Sequence, residues 1–85
     1  GYMAPEVIDG NRGSIASDLF SFGVLAFWLL TGQLPFSGET PQGLIRSMME
    51  GKRHKLSAFA PHLHPRLLQI IEMCLAQNPE DRPST

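Results

Sequence analysis

Eight carboxylates, three histidines and one cysteine are the side chains of this 85-residue chain that could move protons, hold a metal or act as a nucleophile. The carboxylates Glu6, Asp9, Asp18, Glu39, Glu50, Glu72, Glu80 and Asp81 are scattered. No two of them share a helical face as a general acid and its base would. His62 and His64 are spaced like metal ligands on a strand, yet Cys74 is the only other soft ligand nearby, so no metal site is expected. A lone cysteine cannot close an internal disulfide, and Cys74 falls on an apolar helical face, which reads as a buried thiol. Lys52-Arg53-His54-Lys55 follows a helix C-terminus, where the dipole favours cations, and reads as a solvated cap. There is no glycine-rich phosphate loop and no serine in a nucleophile elbow.

With no catalytic centre in view, the elements themselves carry the reading. Leu19 to Leu30 runs Leu-Phe-Ser-Phe-Gly-Val-Leu-Ala-Phe-Trp-Leu-Leu without a charge. At about 100° per residue its apolar side chains leave no free arc wider than roughly 60°, so it reads as a helix buried on every side. The run is shorter than the ~20 residues of a membrane span and longer than a usual strand. Ser17 and Asp18 read as its N-cap and first-turn acid, and Gly32 as its C-terminal stop. A chain this short offers few elements to surround such a helix. If half of its ten apolar side chains stayed wet, at ~2 kcal/mol each, the loss of ~10 kcal/mol would rival a whole domain's stability. The expectation is therefore an all-α piece of a larger helical domain, packed around this central helix.

Around that helix the punctuation is clear. Pro5 suits the first position of a short helix that Asp9-Gly10 ends. Asn11 to Ser14 reads as an exposed loop, and Leu34 and Phe36 in the turn-rich Gln33–Gly38 stretch are expected to fold back onto the core. Thr40-Pro41 starts an amphipathic helix with Leu44, Ile45, Met48 and Met49 on one face, which Gly51 ends. Leu56 to Pro61 reads as irregular. His64-Pro65 starts a helix with Leu67, Leu68, Ile71, Cys74 and Leu75 as one stripe and Arg66, Gln69, Glu72 and Gln77 on the other side, stopped at Asn78-Pro79. Ser84-Thr85 read as caps of a further helix. Apolar content of 42% excludes a disordered chain, and a net charge of -1 points to neither nucleic acid nor an anionic membrane. No signal peptide, lipidation motif or transmembrane segment is visible.

Taken together, four segments resemble the C-terminal lobe of the eukaryotic protein kinase domain. Tyr2-Met3-Ala4-Pro5-Glu6 resembles the Ala-Pro-Glu motif that closes the activation segment. Ser17-Asp18-Leu19-Phe20-Ser21-Phe22-Gly23 is similar to the opening of the family's central F helix, and Leu30-Thr31-Gly32-Gln33-Leu34-Pro35-Phe36 to its exit. Cys74 to Ser84 resembles the Cys-X4-Pro-X2-Arg-Pro-Ser/Thr element. The wording leans to the tyrosine-kinase-like group, which is mostly serine/threonine specific. Phe20 for the common Trp and Trp28 for the common Glu are departures.

The resemblance implies a partial kinase domain over residues 1–85, from the end of the activation segment to the start of the last helix. It implies an ATP-dependent serine/threonine kinase as the parent, with this segment supplying scaffold and substrate docking. Tyr2, Met3 and Ala4 would line the loop that receives the substrate residue after the phosphorylated one. Glu6 and Arg82 would form a buried ion pair, and Asp18 would accept backbone hydrogen bonds from the catalytic loop. ATP and Mg²⁺ would be held by parts of the domain before Gly1, and the partners would be the small lobe, the catalytic loop and a protein substrate. The implied place is the cytoplasm or the cytoplasmic side of a membrane receptor. The alternative is a pseudokinase or helical interaction scaffold that keeps the lobe without the chemistry.

Overall fold

A computed structural model describes residues 3–84, and within them every regular element is helical. Helix α1 spans Pro5–Ile8, α2 Ile15–Thr31, α3 Pro41–Glu50, α4 Leu56–Phe59 and α5 Pro65–Cys74, followed by a 3-10 turn at Pro79–Asp81. Three of the five helices, α1, α3 and α5, begin on proline, whose fixed φ and missing N–H suit the first position. Thr40 and His64 cap α3 and α5: the Gly43 amide donates to Thr40 Oγ1 (3.0 Å) and the Arg66 amide to His64 Nδ1 (3.1 Å).

Helix α2 begins four residues earlier than its apolar run suggests. Ser14, not Ser17, is the N-cap. The Ser17 amide donates to Ser14 Oγ (3.2 Å) and the Ser14 amide to Ser17 Oγ (2.6 Å), so the two serines form a reciprocal capping box. Asp18 still lies in the first turn. At the far end Gly32, at φ 72°, takes the left-handed turn that a side chain would resist, and its amide donates to the Trp28 carbonyl (2.8 Å).

The core lies along one side of α2. Phe20, Val24 and Phe27 are buried there with Ala4, Phe36, Met48, Leu56, Ala60, Ile71, Cys74 and Leu75. Helix α5 approaches α2 at Gly23, where an added Cβ would stand 2.8 Å from Cys74 Cβ and 3.2 Å from the Leu75 side chain. Leu34 remains exposed while Phe36 turns inward. In α3 Met48 is buried and Ile45 is exposed, and in α5 Leu67 is exposed while Ile71 and Cys74 are buried, so both apolar stripes are narrower than their spacing implies.

As expected of a chain with few elements to surround it, α2 keeps an uncovered outer face. Phe22, Leu25, Trp28, Leu29 and Leu30 are all exposed, Leu29 at 67%. The described residues cover one side of this helix only. Between α2 and α5 this leaves an apolar groove of about 400 Å³ lined by Phe22, Leu25, Leu29, Leu67 and Ile70.

Two further expectations are overturned. Leu56–Phe59 is a helical turn, not irregular chain. It starts without a cap side chain of its own; the Leu56 amide instead donates to Glu72 Oε1 (2.6 Å), sixteen positions away. Arg53, read as part of a solvated cap, pairs with Glu72 Oε2 at 2.5 Å and donates to the carbonyls of His54 and Glu72. Glu72 therefore faces the α3–α4 connection, not bulk water.

Candidate functional site

Arg82 lies just past the 3-10 turn in extended backbone, and its side chain is fully buried. Burying a guanidinium unmatched is costly, so its donors must be met. All five are. Nη1 donates to Glu6 Oε2 (2.6 Å) and to the Ala16 carbonyl (3.0 Å). Nη2 donates to Glu6 Oε1 (2.9 Å) and to the Gln77 carbonyl (3.2 Å), and Nε donates to the Ala76 carbonyl (2.9 Å). The pairing with Glu6 is bidentate, the geometry in which Arg and carboxylate bind best. The guanidinium also lies 5.0 Å from the centroid of the Phe20 ring, which stacks on Phe36 at 5.8 Å. One side chain thus fastens α1, the start of α2 and the chain after α5 together.

Glu6 responds to this setting. The Arg82 hydrogen bonds hold its carboxyl below the usual glutamate range, against the opposing effect of burial. Burial pushes the Cys74 thiol up, with the Arg82 charge pulling weakly the other way. Cys74 is therefore a packed, protonated side chain beside Gly23.

On the other side of α1 an open groove of about 350 Å³ brings together Met3, Ala4, Val7, Gly13, Ser17, Asp18 and Ser21. Met3 is exposed at its rim and Ala4 is buried, with the Ala4 carbonyl accepting from the Val7 and Ile8 amides (3.0 Å each). The Asp18 carboxylate is exposed and has no hydrogen-bond partner among the described residues. Tyr2 lies outside the described residues. Met3, Ala4 and Asp18 thus share one groove, and Glu6 and Arg82 share the lock behind it.

Among the described residues no three His, Cys, Asp or Glu side chains converge to hold a metal ion, and His62 and His64 find no third ligand. The groove at Asp18 offers one carboxylate and no cation for a triphosphate. These lining residues do not make a donor set for Mg²⁺ or ATP. Sequence spacing alone could not find the carbonyls of Ala16, Ala76 and Gln77 on Arg82, because they belong to segments that meet only in the fold. The Phe20 ring under the guanidinium was equally hidden, although an aromatic residue in the first turns of an apolar helix is a signal that could be used.

The described residues form an all-helical assembly built on one long apolar helix, with a buried bidentate Arg–Glu pair beside an open groove. The protein kinase domain profile matches residues 1–85, and the chain belongs to that family. It is 37% identical over 84 residues to the serine/threonine-protein kinase STY17 of Arabidopsis thaliana, covering 98% of this chain and 14% of that protein. It is 36% identical over 81 residues to the eye isozyme of protein kinase C of Drosophila melanogaster, covering 95% of this chain and 11% of that one. Its fold is similar to a crystal structure of the Rad53 kinase domain and SCD2 in complex with AMPPNP, with a TM-score of 0.79, 35% identity, and coverage of 98% of this chain and 33% of that one. The chain thus spans a small part of these relatives and a third of the solved chain. No helix among the described residues is long and apolar enough to cross a membrane.

Proposed function

We propose that residues 1–85 form part of the large lobe of an ATP-dependent serine/threonine protein kinase, where they serve as scaffold and substrate-docking surface. In this reading ATP and Mg²⁺ are bound, and phosphate is transferred, by other parts of the domain, and the segment alone is inactive. Met3 and Ala4, with Tyr2 before them, face the substrate residue that follows the phosphorylated hydroxyl. Asp18 accepts backbone hydrogen bonds from the catalytic loop. The Glu6–Arg82 pair holds the Met3–Ala4 stretch against the base of α2. The small lobe and the catalytic loop cover the exposed side of this assembly, and the kinase works in the cytoplasm or at the cytoplasmic side of a membrane.

The observation that carries this reading is the open groove in which exposed Met3, buried Ala4 and an Asp18 carboxylate without a partner among the described residues meet, backed by the fully buried Arg82. A docking loop must be rigid where it is anchored and open where it binds, and Ala4 and Met3 divide along that line. The serine/threonine assignment draws on relatives named as serine/threonine kinases. The test is phosphotransfer by the intact kinase domain with ATP and Mg²⁺ on peptide arrays bearing serine, threonine or tyrosine acceptors. Transfer to serine or threonine, with a raised KM on Ala4→Leu, is expected. Transfer to tyrosine alone would sink the specificity, and no transfer at all would leave a pseudokinase.

A further inference from the structure

Gln77 faces two ways. Its backbone carbonyl accepts from Arg82 Nη2 (3.2 Å), the same nitrogen that donates to Glu6 Oε1. Its exposed side chain reaches in the other direction and donates through Nε2 to the Met49 carbonyl at the end of α3. That carbonyl belongs to the last turn, where a helix has no amide of its own to offer. Its neighbours are met locally, Ser47 by the Lys52 amide (2.9 Å) and Met48 by the Gly51 amide (3.2 Å). Gly51 leaves the way open: at φ 71° it turns the chain, and a Cβ there would stand 2.8 Å from Gln77 Oε1.

Helix α3 has little else to hold it. Of its ten residues only Met48 is buried. The Ser47 hydroxyl donates to the Ser37 carbonyl (3.0 Å), but that bond joins the helix to its own lead-in. The excursion that carries α3 is closed at its base, where Phe36 is buried, the His54 amide donates to the Pro35 carbonyl (2.8 Å) and Arg53 pairs with Glu72. Elements with so little buried apolar surface open locally before the rest of a domain unfolds.

We propose that α3 and the turns on either side of it, residues 37–52, form a hinged flap on this base, and that the Gln77 side chain is its latch. The lock at Arg82 uses only the backbone of Gln77, so the latch releases while Glu6 and Arg82 stay paired. The flank of the molecule at α3 is thereby adjustable, at the cost of uncovering Met48, while the Met3–Ala4 stretch stays anchored behind it. This device goes beyond the docking role proposed above and does not depend on phosphotransfer.

Hydrogen–deuterium exchange on the intact kinase domain tests this, with the α2 amides of Val24 and Phe27 as the reference for global opening. Gln77→Glu removes the donor and sets a carboxylate against the negative end of α3. It should speed exchange of the α3 amides from Ile45 to Met49 about fivefold, the size expected for one lost hydrogen bond. The amides of Val7, Ile8 and Asn11, which report on the lock, should stay as slow as in wild type. Gln77→Lys restores a donor at a helix end that favours cations, and should return α3 to within about twofold of wild type. Unchanged α3 exchange in Gln77→Glu would overturn the latch. So would equal acceleration of Val7, Ile8 and Asn11, because α3 and the Arg82 lock would then open together. Exchange in Gln77→Lys as fast as in Gln77→Glu would remove the hydrogen bond from the account and the latch with it. The readout is exchange alone, so a domain that transfers no phosphate would decide the matter equally.

Discussion

The guanidinium of Arg82 and the carboxylate of Glu6 meet through two hydrogen bonds, at 2.6 and 2.9 Å, across 76 positions of sequence. Glu6→Gln keeps the shape and removes the charge, leaving a buried guanidinium short of its counter-ion. Removing one partner of a buried pair typically costs ~3–5 kcal/mol. Urea denaturation of the intact kinase domain should show a loss of that order for Glu6→Gln. Arg82→Met combined with Glu6→Leu should lose much less, because no charge is then left unmatched. Additive losses in the pair would mean that the two residues are not coupled.

The same pair sets an acid limit. The folded carboxyl of Glu6 titrates below its unfolded value, so the unfolded chain binds the extra proton in acid and stability rises with pH through that window. The contribution is fully present above the unfolded value of about 4.3 and is lost as pH falls through the lowered folded value. The gap in urea midpoint between wild type and Glu6→Gln should therefore be wide near pH ~6 and should close toward pH ~3. A gap independent of pH would remove Glu6 from the account.

At Gly23 the packing of α5 on α2 leaves no room for a methyl group. A Cβ would stand 2.8 Å from Cys74 Cβ. Gly23→Ala gains helix propensity of up to ~1 kcal/mol, but overpacking of a tight helix contact costs about 1–3 kcal/mol, so a net loss is expected. Cys74→Ala should not rescue it, since the clashing atom is the Cβ that alanine keeps. Rescue by Cys74→Ala would place the strain at the sulfur and contradict this geometry.

What could be read from the sequence was local. Pro5, Thr40-Pro41 and His64-Pro65 mark helix starts because a cap and its proline lie side by side, and Gly32 and Gly51 mark ends because each takes a positive φ. The start of α2 escaped because Ser14 and Ser17 are equally good caps and the turn between them is not part of the apolar run. Helix α4 escaped because its first amide is met by Glu72 from another helix. Glu72 and Arg53 looked solvent-facing for the same reason: their pairing exists only after α5 has docked. Ser14→Ala is expected to cost ~1 kcal/mol in a thermal melt, in the range of a lost N-cap. The same substitution would be silent if the helix began at Ser17.

The outer face of α2 allows one substitution to be read in two settings. Leu29 is 67% exposed here and has Phe22, Leu25 and Leu30 as exposed apolar companions on the same helix. If the rest of a kinase lobe covers that face, Leu29→Lys buries an unpaired charge in the intact domain and removes packing contacts of the kind worth ~2–5 kcal/mol. In the 85-residue chain expressed by itself the same lysine points into water. There it should leave helix content unchanged by circular dichroism and should reduce aggregation, because it breaks an apolar patch of the kind that drives self-association. The pair of measurements is therefore a sign test: destabilisation in the intact domain together with improved solubility of the isolated chain. Equal tolerance in both settings would mean that nothing packs against this side of the helix, and the reading of these residues as one part of a larger lobe would fail.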